Sequence, residues 1–121
     1  MWKVDHYITA SGKDLVTEFL LSLHKTRELP FVMERIEMLK KYGPELVLMN
    51  RTYAAHLRDQ IFELRTKVNN KNIRVLYFYF FDEEIILSHG LPNKEKIVPY
   101  SEIEKALEHK RHYLNTHKRH E

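Results

Sequence analysis

FELRTKVNNKNIRVLYFYFF, residues 62–81, is the stretch on which the fold turns. Its first part alternates, with Phe62, Leu64 and Thr66 on one side and Glu63, Arg65 and Lys67 on the other, the period of two of a β-strand. Asn69-Asn70-Lys71-Asn72 is a turn signal, because asparagine tolerates a positive φ. Ile73 to Phe81 is rich in β-branched and aromatic residues and reads as a central strand. Asp82-Glu83 turns the chain again, and Glu84 to His89 supplies the third strand of a meander.

Upstream, the periodicity changes to that of helices. Leu15, Val16, Phe19, Leu20 and Leu23 form one apolar stripe within residues 13–26, and Ser11 is placed to cap that helix. After Glu28-Leu29-Pro30, the stripe resumes with Val32, Met33, Ile36 and Leu39 and stops at Gly43-Pro44. Two such helices joined by a short turn read as an antiparallel hairpin. Trp2 to Ile8 reads as a first strand ahead of them. Downstream, Gly90, Pro92 and Asn93-Lys94-Glu95-Lys96 make a polar loop. Ser101 then caps a last helix with Ile103, Ala106, Leu107, Lys110 and Leu114 along one side.

The expected order is β, α, α, β, β, β, α, one domain spanning residues 1–121. The fold class is α+β: a two-helix hairpin packed on a small antiparallel twisted sheet, with a C-terminal helix. Two helices cover one face of the sheet and leave the other partly open.

Composition narrows the function classes. The chain is 43% hydrophobic and 31% charged, as in ordinary globular proteins. With no cysteine, neither disulfides nor Cys-based zinc sites can form. The longest apolar run, Val75 to Phe81, is far short of the roughly 20 residues that cross a bilayer, and no basic-then-apolar leader opens the chain. These point to the cytoplasm and away from membranes. The net charge of +3 is too mild to argue nucleic-acid binding alone. The segment from His109 to His120 holds Lys110, Arg111, Lys118 and Arg119 without a carboxylate, which equally suits a solvated helix end.

Leu57-Arg58-Asp59-Gln60-Ile61-Phe62-Glu63-Leu64-Arg65 resembles a motif of the RelE/HigB-like toxins of toxin–antitoxin pairs, in their phage-derived branch. The likeness continues through Ile73-Arg74-Val75-Leu76-Tyr77-Phe78 and Ile85-Ile86-Leu87-Ser88-His89-Gly90. It ends with Lys94, Pro99 and Glu102-Ile103-Glu104-Lys105-Ala106-Leu107. It implies a RelE/ParE-like fold and a metal-independent mRNA endonuclease, without cofactor, acting with the ribosome to inhibit translation. It also implies a helix-turn-helix antitoxin as partner. The chain departs from the pattern in several places. Gln60 stands where the family usually has glycine, and Leu91 replaces a phenylalanine. Asn93 and Ile97 sit where lysines are usual, and Glu95 adds a carboxylate among them.

Cleaving RNA without a metal needs three things: removal of the 2′-hydroxyl proton, neutralisation of charge at phosphorus, and protonation of the leaving oxygen. Arginine suits the second, since its planar fork holds two phosphate oxygens and keeps its charge. Arg65 and Arg74, with His89 as the acid–base group, are the candidate catalytic residues. Arg58, Lys94 and Lys96 are the candidate RNA contacts. Arg74 shares a strand face with Leu76, Phe78 and Phe80, so it is half buried and needs a partner, a phosphate or a carboxylate. A structural role is the alternative for each: an ion pair for Arg65, a solvated arginine for Arg58, a core histidine for His89 and a solvated loop for the lysines. His109 and His112 share a helix face at a spacing that suits a metal, but no carboxylate is placed beside them. Tyr77 and Tyr79 read as core, whereas Phe78 or Tyr100 would stack a base. Two other functions stay open on the same fold: a ParE-like toxin that inhibits gyrase by protein contact, and a degenerate antitoxin-binding module.

Overall fold

The computed structural model describes residues 1–81, 83–92 and 97–117. In chain order the elements are β1 (Lys3–His6), α1 (Leu15–Ser22), α2 (Leu29–Tyr42), α3 (Glu45–Met49), β2 (Ala54–Arg58), β3 (Ile61–Val68), β4 (Lys71–Phe80), β5 (Glu84–Leu91) and α4 (Tyr100–Thr116). The expected meander is β3–β4–β5, antiparallel throughout. The five strands form one sheet in the order β1-β5-β4-β3-β2.

The structure adds two elements and corrects one relation. The short α3 was not expected, nor was β2, whose Ala-Ala-His-Leu-Arg sequence is poor in strand formers. β2 exists because β3 pairs with it through a two-residue turn at Asp59 and Gln60, both at positive φ (51° and 64°). The left-handed backbone at Gln60 gives a physical reason for the glycine usual at this position. The sheet is also mixed rather than antiparallel: β1 runs parallel to β5 at the opposite edge, from Lys3 beside Glu84 to His6 beside Leu87. The helices between β1 and β2 carry the chain from one edge to the other. Both expected caps also differ. Asp14, not Ser11, caps α1 by accepting from the Thr17 N–H, and α4 starts one residue ahead of Ser101 without a side-chain cap.

Each sheet face has its own core. On one face, α1 and α2 lay Val16, Leu20, Ile36 and Leu39 against Leu64, Val75, Tyr77 and Ile85. On the other, Ala106 and Tyr113 of α4 pack with Ile61, Leu76, Phe78 and Ile86. The second face, expected to be partly open, is thus roofed by α4 over its central strands.

One irregularity in β5 decides what faces α4. Leu76 pairs with His89 but Tyr77 pairs with Leu87, so Ser88 is an extra residue, a β-bulge. Strict alternation from Leu87 would turn His89 toward the helical hairpin. The bulge turns it toward α4 instead, and Gly90 takes the hairpin side. There a Cβ would lie 2.1 Å from the Phe19 ring, so only glycine fits without displacing it.

Candidate functional site

β3, β4 and β5 carry two adjacent rows across the α4 side of the sheet. Arg65, Arg74 and Leu91 form one row; Glu63, Leu76 and His89 form the next. Arg74 is nearly as buried as Leu76, and its partner is Glu63, itself 2% exposed. Glu63 Oε1 accepts from Nε of Arg74 at 3.2 Å and from Nε of Arg65 at 2.5 Å. One buried carboxylate therefore orients two guanidinium groups, which pair bonding alone in the sequence did not reveal.

Arg65 is fixed from several directions. Its Nη1 donates to the Arg51 carbonyl at 2.9 Å, and its backbone N–H donates to the Tyr53 carbonyl at 2.7 Å. Arg35 of α2 lies over the Tyr53 ring at 3.7 Å and donates to the Arg65 carbonyl. Arg65 and Arg74 then line a groove of about 270 Å³ with Lys67, Thr52 and Asn72. Among the described residues its lining carries three cations and no carboxylate, with the buried charge of Glu63 beneath. Such a site attracts an anion and offers two planar forks to hold its oxygens.

His89 is placed differently from the arginines. It lies diagonally across β4–β5 from Arg74, a spacing of about 7 Å between such neighbours. It is 3% exposed, and both ring nitrogens are engaged. Nε2 is 2.9 Å from Glu102 Oε1 on α4, and Nδ1 is 2.9 Å from Ser88 Oγ. Ser88 Oγ also lies 2.7 Å from His109 Nδ1. His109 stacks on Tyr7 with ring centres 4.2 Å apart, and the Tyr7 hydroxyl meets His112 Nδ1 at 2.7 Å. The His109–His112 pair, with its metal-like spacing, is thus tied into a polar network with Tyr7.

Burial pushes His89 down to about 4, with the charge of Lys105 adding to the effect. Burial likewise lowers His109 to about 4, reinforced by His89, Lys105 and His112 and opposed by Glu102. Both rings are neutral at pH 7, and this orients the chain of bonds. A carboxylate only accepts, so His89 Nε2–H donates to Glu102 and its Nδ1 accepts the Ser88 hydroxyl proton. Ser88 Oγ then accepts from His109 Nδ1–H.

The remaining expected residues fall in three groups. Arg58, at the end of β2, pairs with Asp59 at 2.9 Å and with Glu104, and lies over the Tyr100 ring at 4.4 Å. Two carboxylates offset its charge, leaving it better placed to back an aromatic ring than to grip phosphate alone. Lys94 and Lys96 lie outside the described residues, as do Asn93 and Glu95. Of the two expected stacking rings, Phe78 is fully buried and cannot meet a base, whereas Tyr100 is 65% exposed. Tyr77 and Tyr79 pack in the hairpin-side core as expected.

The sequence did not point to Glu63, Ser88 and Glu102, and it offered His109 only as half of a metal-spaced pair rather than as the partner of Ser88. Alternation placed Glu63 beside Arg65, a signal that was present; nothing local marks the bulge that recruits the other three. No helix among the described residues is long and apolar enough to cross a membrane. The family described as phage-derived protein Gp49-like (DUF891) matches residues 18–111, from α1 through most of α4, and so includes every residue of the groove. No curated protein matches the chain.

Proposed function

Since this chain belongs to the Gp49-like family of phage-derived proteins, within the RelE/ParE-type toxin superfamily, we propose that it is the toxin of a toxin–antitoxin pair, a metal-independent mRNA endonuclease of the RelE/HigB kind. One toxin domain, residues 1–121, acts in the cytoplasm with the ribosome and inhibits translation. A helix-turn-helix antitoxin neutralises it. The observation that carries this reading is the groove in which Arg65 and Arg74, oriented by buried Glu63, stand with Lys67 around open space.

A scissile phosphate in that groove accepts bonds from both arginine forks. As the 2′-oxygen attacks, charge grows on the non-bridging oxygens, where the fixed guanidinium groups stabilise it most. Glu63 holds them in place beforehand, so little reorganisation accompanies the reaction. The exposed Tyr100 ring, backed by Arg58, suits stacking on a base of the same strand. Lys94 and Lys96, cations of the polar loop after β5, contact the RNA backbone. His89 supplies the acid–base side of the site; with both nitrogens engaged, it works through a neighbour.

Inducible expression with mapping of transcript ends tests the reading, comparing the natural chain with Arg65→Ala, Arg74→Lys and His89→Ala. The expected result is growth arrest with new mRNA 5′ ends, both lost in the arginine variants. Arrest without new ends would favour a ParE-like inhibitor of gyrase. No arrest would favour a degenerate antitoxin-binding module.

A further inference from the structure

We propose that Glu102, at the start of α4, is the carboxylate that takes the proton from the RNA 2′-hydroxyl, with His89 as the positioning residue behind it. The inference rests on the nuclease reading and deepens it.

Among the described residues four carboxylates pair with Arg58, Arg65, Arg74 or His89, and three of them are committed to arginines. Glu63 lies beneath the groove without lining it and accepts from two guanidinium groups, so its oxygens are committed to holding them. Asp59 and Glu104 are paired with Arg58. A carboxylate bound to a cation is also a weaker base, because protonation forfeits the ion pair. Glu102 alone combines access with an uncharged partner. Its side chain is 30% exposed, it pairs with no lysine or arginine among the described residues, and one oxygen is held by His89 Nε2 at 2.9 Å.

The partner's geometry fits a supporting role. His89 is packed under α4, and its Nδ1 is pinned by Ser88, which His109 pins in turn. The series Glu102–His89–Ser88 has the residue types of a hydrolase triad, but Ser88 is fully buried and cannot be the nucleophile. Running the other way, the buried end anchors the ring and the ring aims the carboxylate. Because His89 is the diagonal neighbour of Arg74, the carboxylate it aims belongs to the row next to the one that carries the groove's arginines.

The step balances as follows. The 2′-O–H proton passes to the free Glu102 oxygen, and the electron pair of that bond forms the new 2′-oxygen–phosphorus bond. The phosphorus–5′-oxygen bond breaks, and the leaving 5′-oxygen takes a proton from water. The resulting hydroxide is neutralised by the proton held on Glu102. The products are a 2′,3′-cyclic phosphate end and a 5′-hydroxyl end.

Purified protein, RNA and ribosomes test this, with cleavage rate and KM measured for five chains: natural, Glu102→Gln, His89→Gln, His89→Ala and Arg65→Ala. Thermal melting confirms that each is folded. Glu102→Gln is expected to lose about 100-fold or more in kcat with little change in KM, the usual contribution of a general base. His89→Gln, whose amide N–H can stand in for Nε2–H, is expected to stay within about tenfold of the natural chain, while His89→Ala falls further. A glutamine cannot transfer a proton in place of an imidazole, so this rescue separates positioning from direct catalysis. Glu102→Gln cleaving within about tenfold of the natural chain, with Arg65→Ala inactive, would overturn the inference and leave the nuclease reading intact. His89→Gln as inactive as His89→Ala would also overturn it. Absence of cleavage by the natural chain would overturn both.

Discussion

The two faces of the sheet solve opposite problems. Under α1 and α2, the buried side chains are almost all apolar, and Leu39, Leu64, Val75 and Leu87 need only close packing. Under α4, the same strands bury Glu63, Arg74, Ser88, His89 and His109, each of which requires a partner of the right kind in the right place. A buried ion pair adds little stability compared with apolar residues of similar size. The polar face is therefore poor scaffolding and good site-building, with the apolar face supplying the rigidity it needs.

Substitutions can pull this division apart, beginning with the apolar face. Leu39→Ala leaves a cavity under the hairpin and is expected to cost about 3 kcal/mol of stability, seen as a lower urea midpoint. Cleavage per folded molecule should not change, so a parallel loss of kcat would show that the faces are coupled. Arg74→Lys makes the reverse test. Charge is kept but the bidentate fork is lost, with cleavage per folded molecule expected to fall about 100-fold, roughly 2.7 kcal/mol.

pH separates the faces without mutation. His89 is pushed down to about 4 in the folded chain from an ordinary 6.5, so between these values the unfolded chain binds more protons. Its contribution is fully present above pH 6.5 and is lost as pH falls toward 4. Lowering pH from 7 to 5 should remove about 2 kcal/mol through His89, read as a drop in urea midpoint, and the loss should shrink in His89→Gln. An unchanged midpoint would show that the α4 face admits water around this ring. Asp14, which is also lowered, lies outside this window because its ordinary value is 3.8. His109, lowered to about 4 like His89, adds its own loss over the same range and keeps it in His89→Gln.

The smallest expected effect lies at the edge of the sheet, away from both cores. Gln60→Gly removes a side chain from left-handed backbone and should stabilise by about 0.5 kcal/mol, the relief of strain exceeding the added freedom of the unfolded chain. A lower melting temperature in that variant would show that the Gln60 side chain contributes contacts at the β2–β3 turn.

By itself, the sequence determined the meander, both main helices, α4 and the burial of Arg74. These follow from period-two and helical patterns over runs long enough to be unambiguous, and from turn residues such as Asn69 and Asn70, both at positive φ. It also placed Glu63, Arg65 and Lys67 on one strand face. Only the tertiary structure decided the parallel docking of β1 on β5, the strand state of Ala54–Arg58 and the face to which His89 belongs. Each depends on contacts between residues far apart in the chain: β2 is a strand because β3 lies beside it, and His89 meets Glu102 because one extra residue at Ser88 reverses the alternation. Local pattern records which side chains prefer burial; a bulge or a pairing partner decides against what they are buried, and here that choice sets the chemistry.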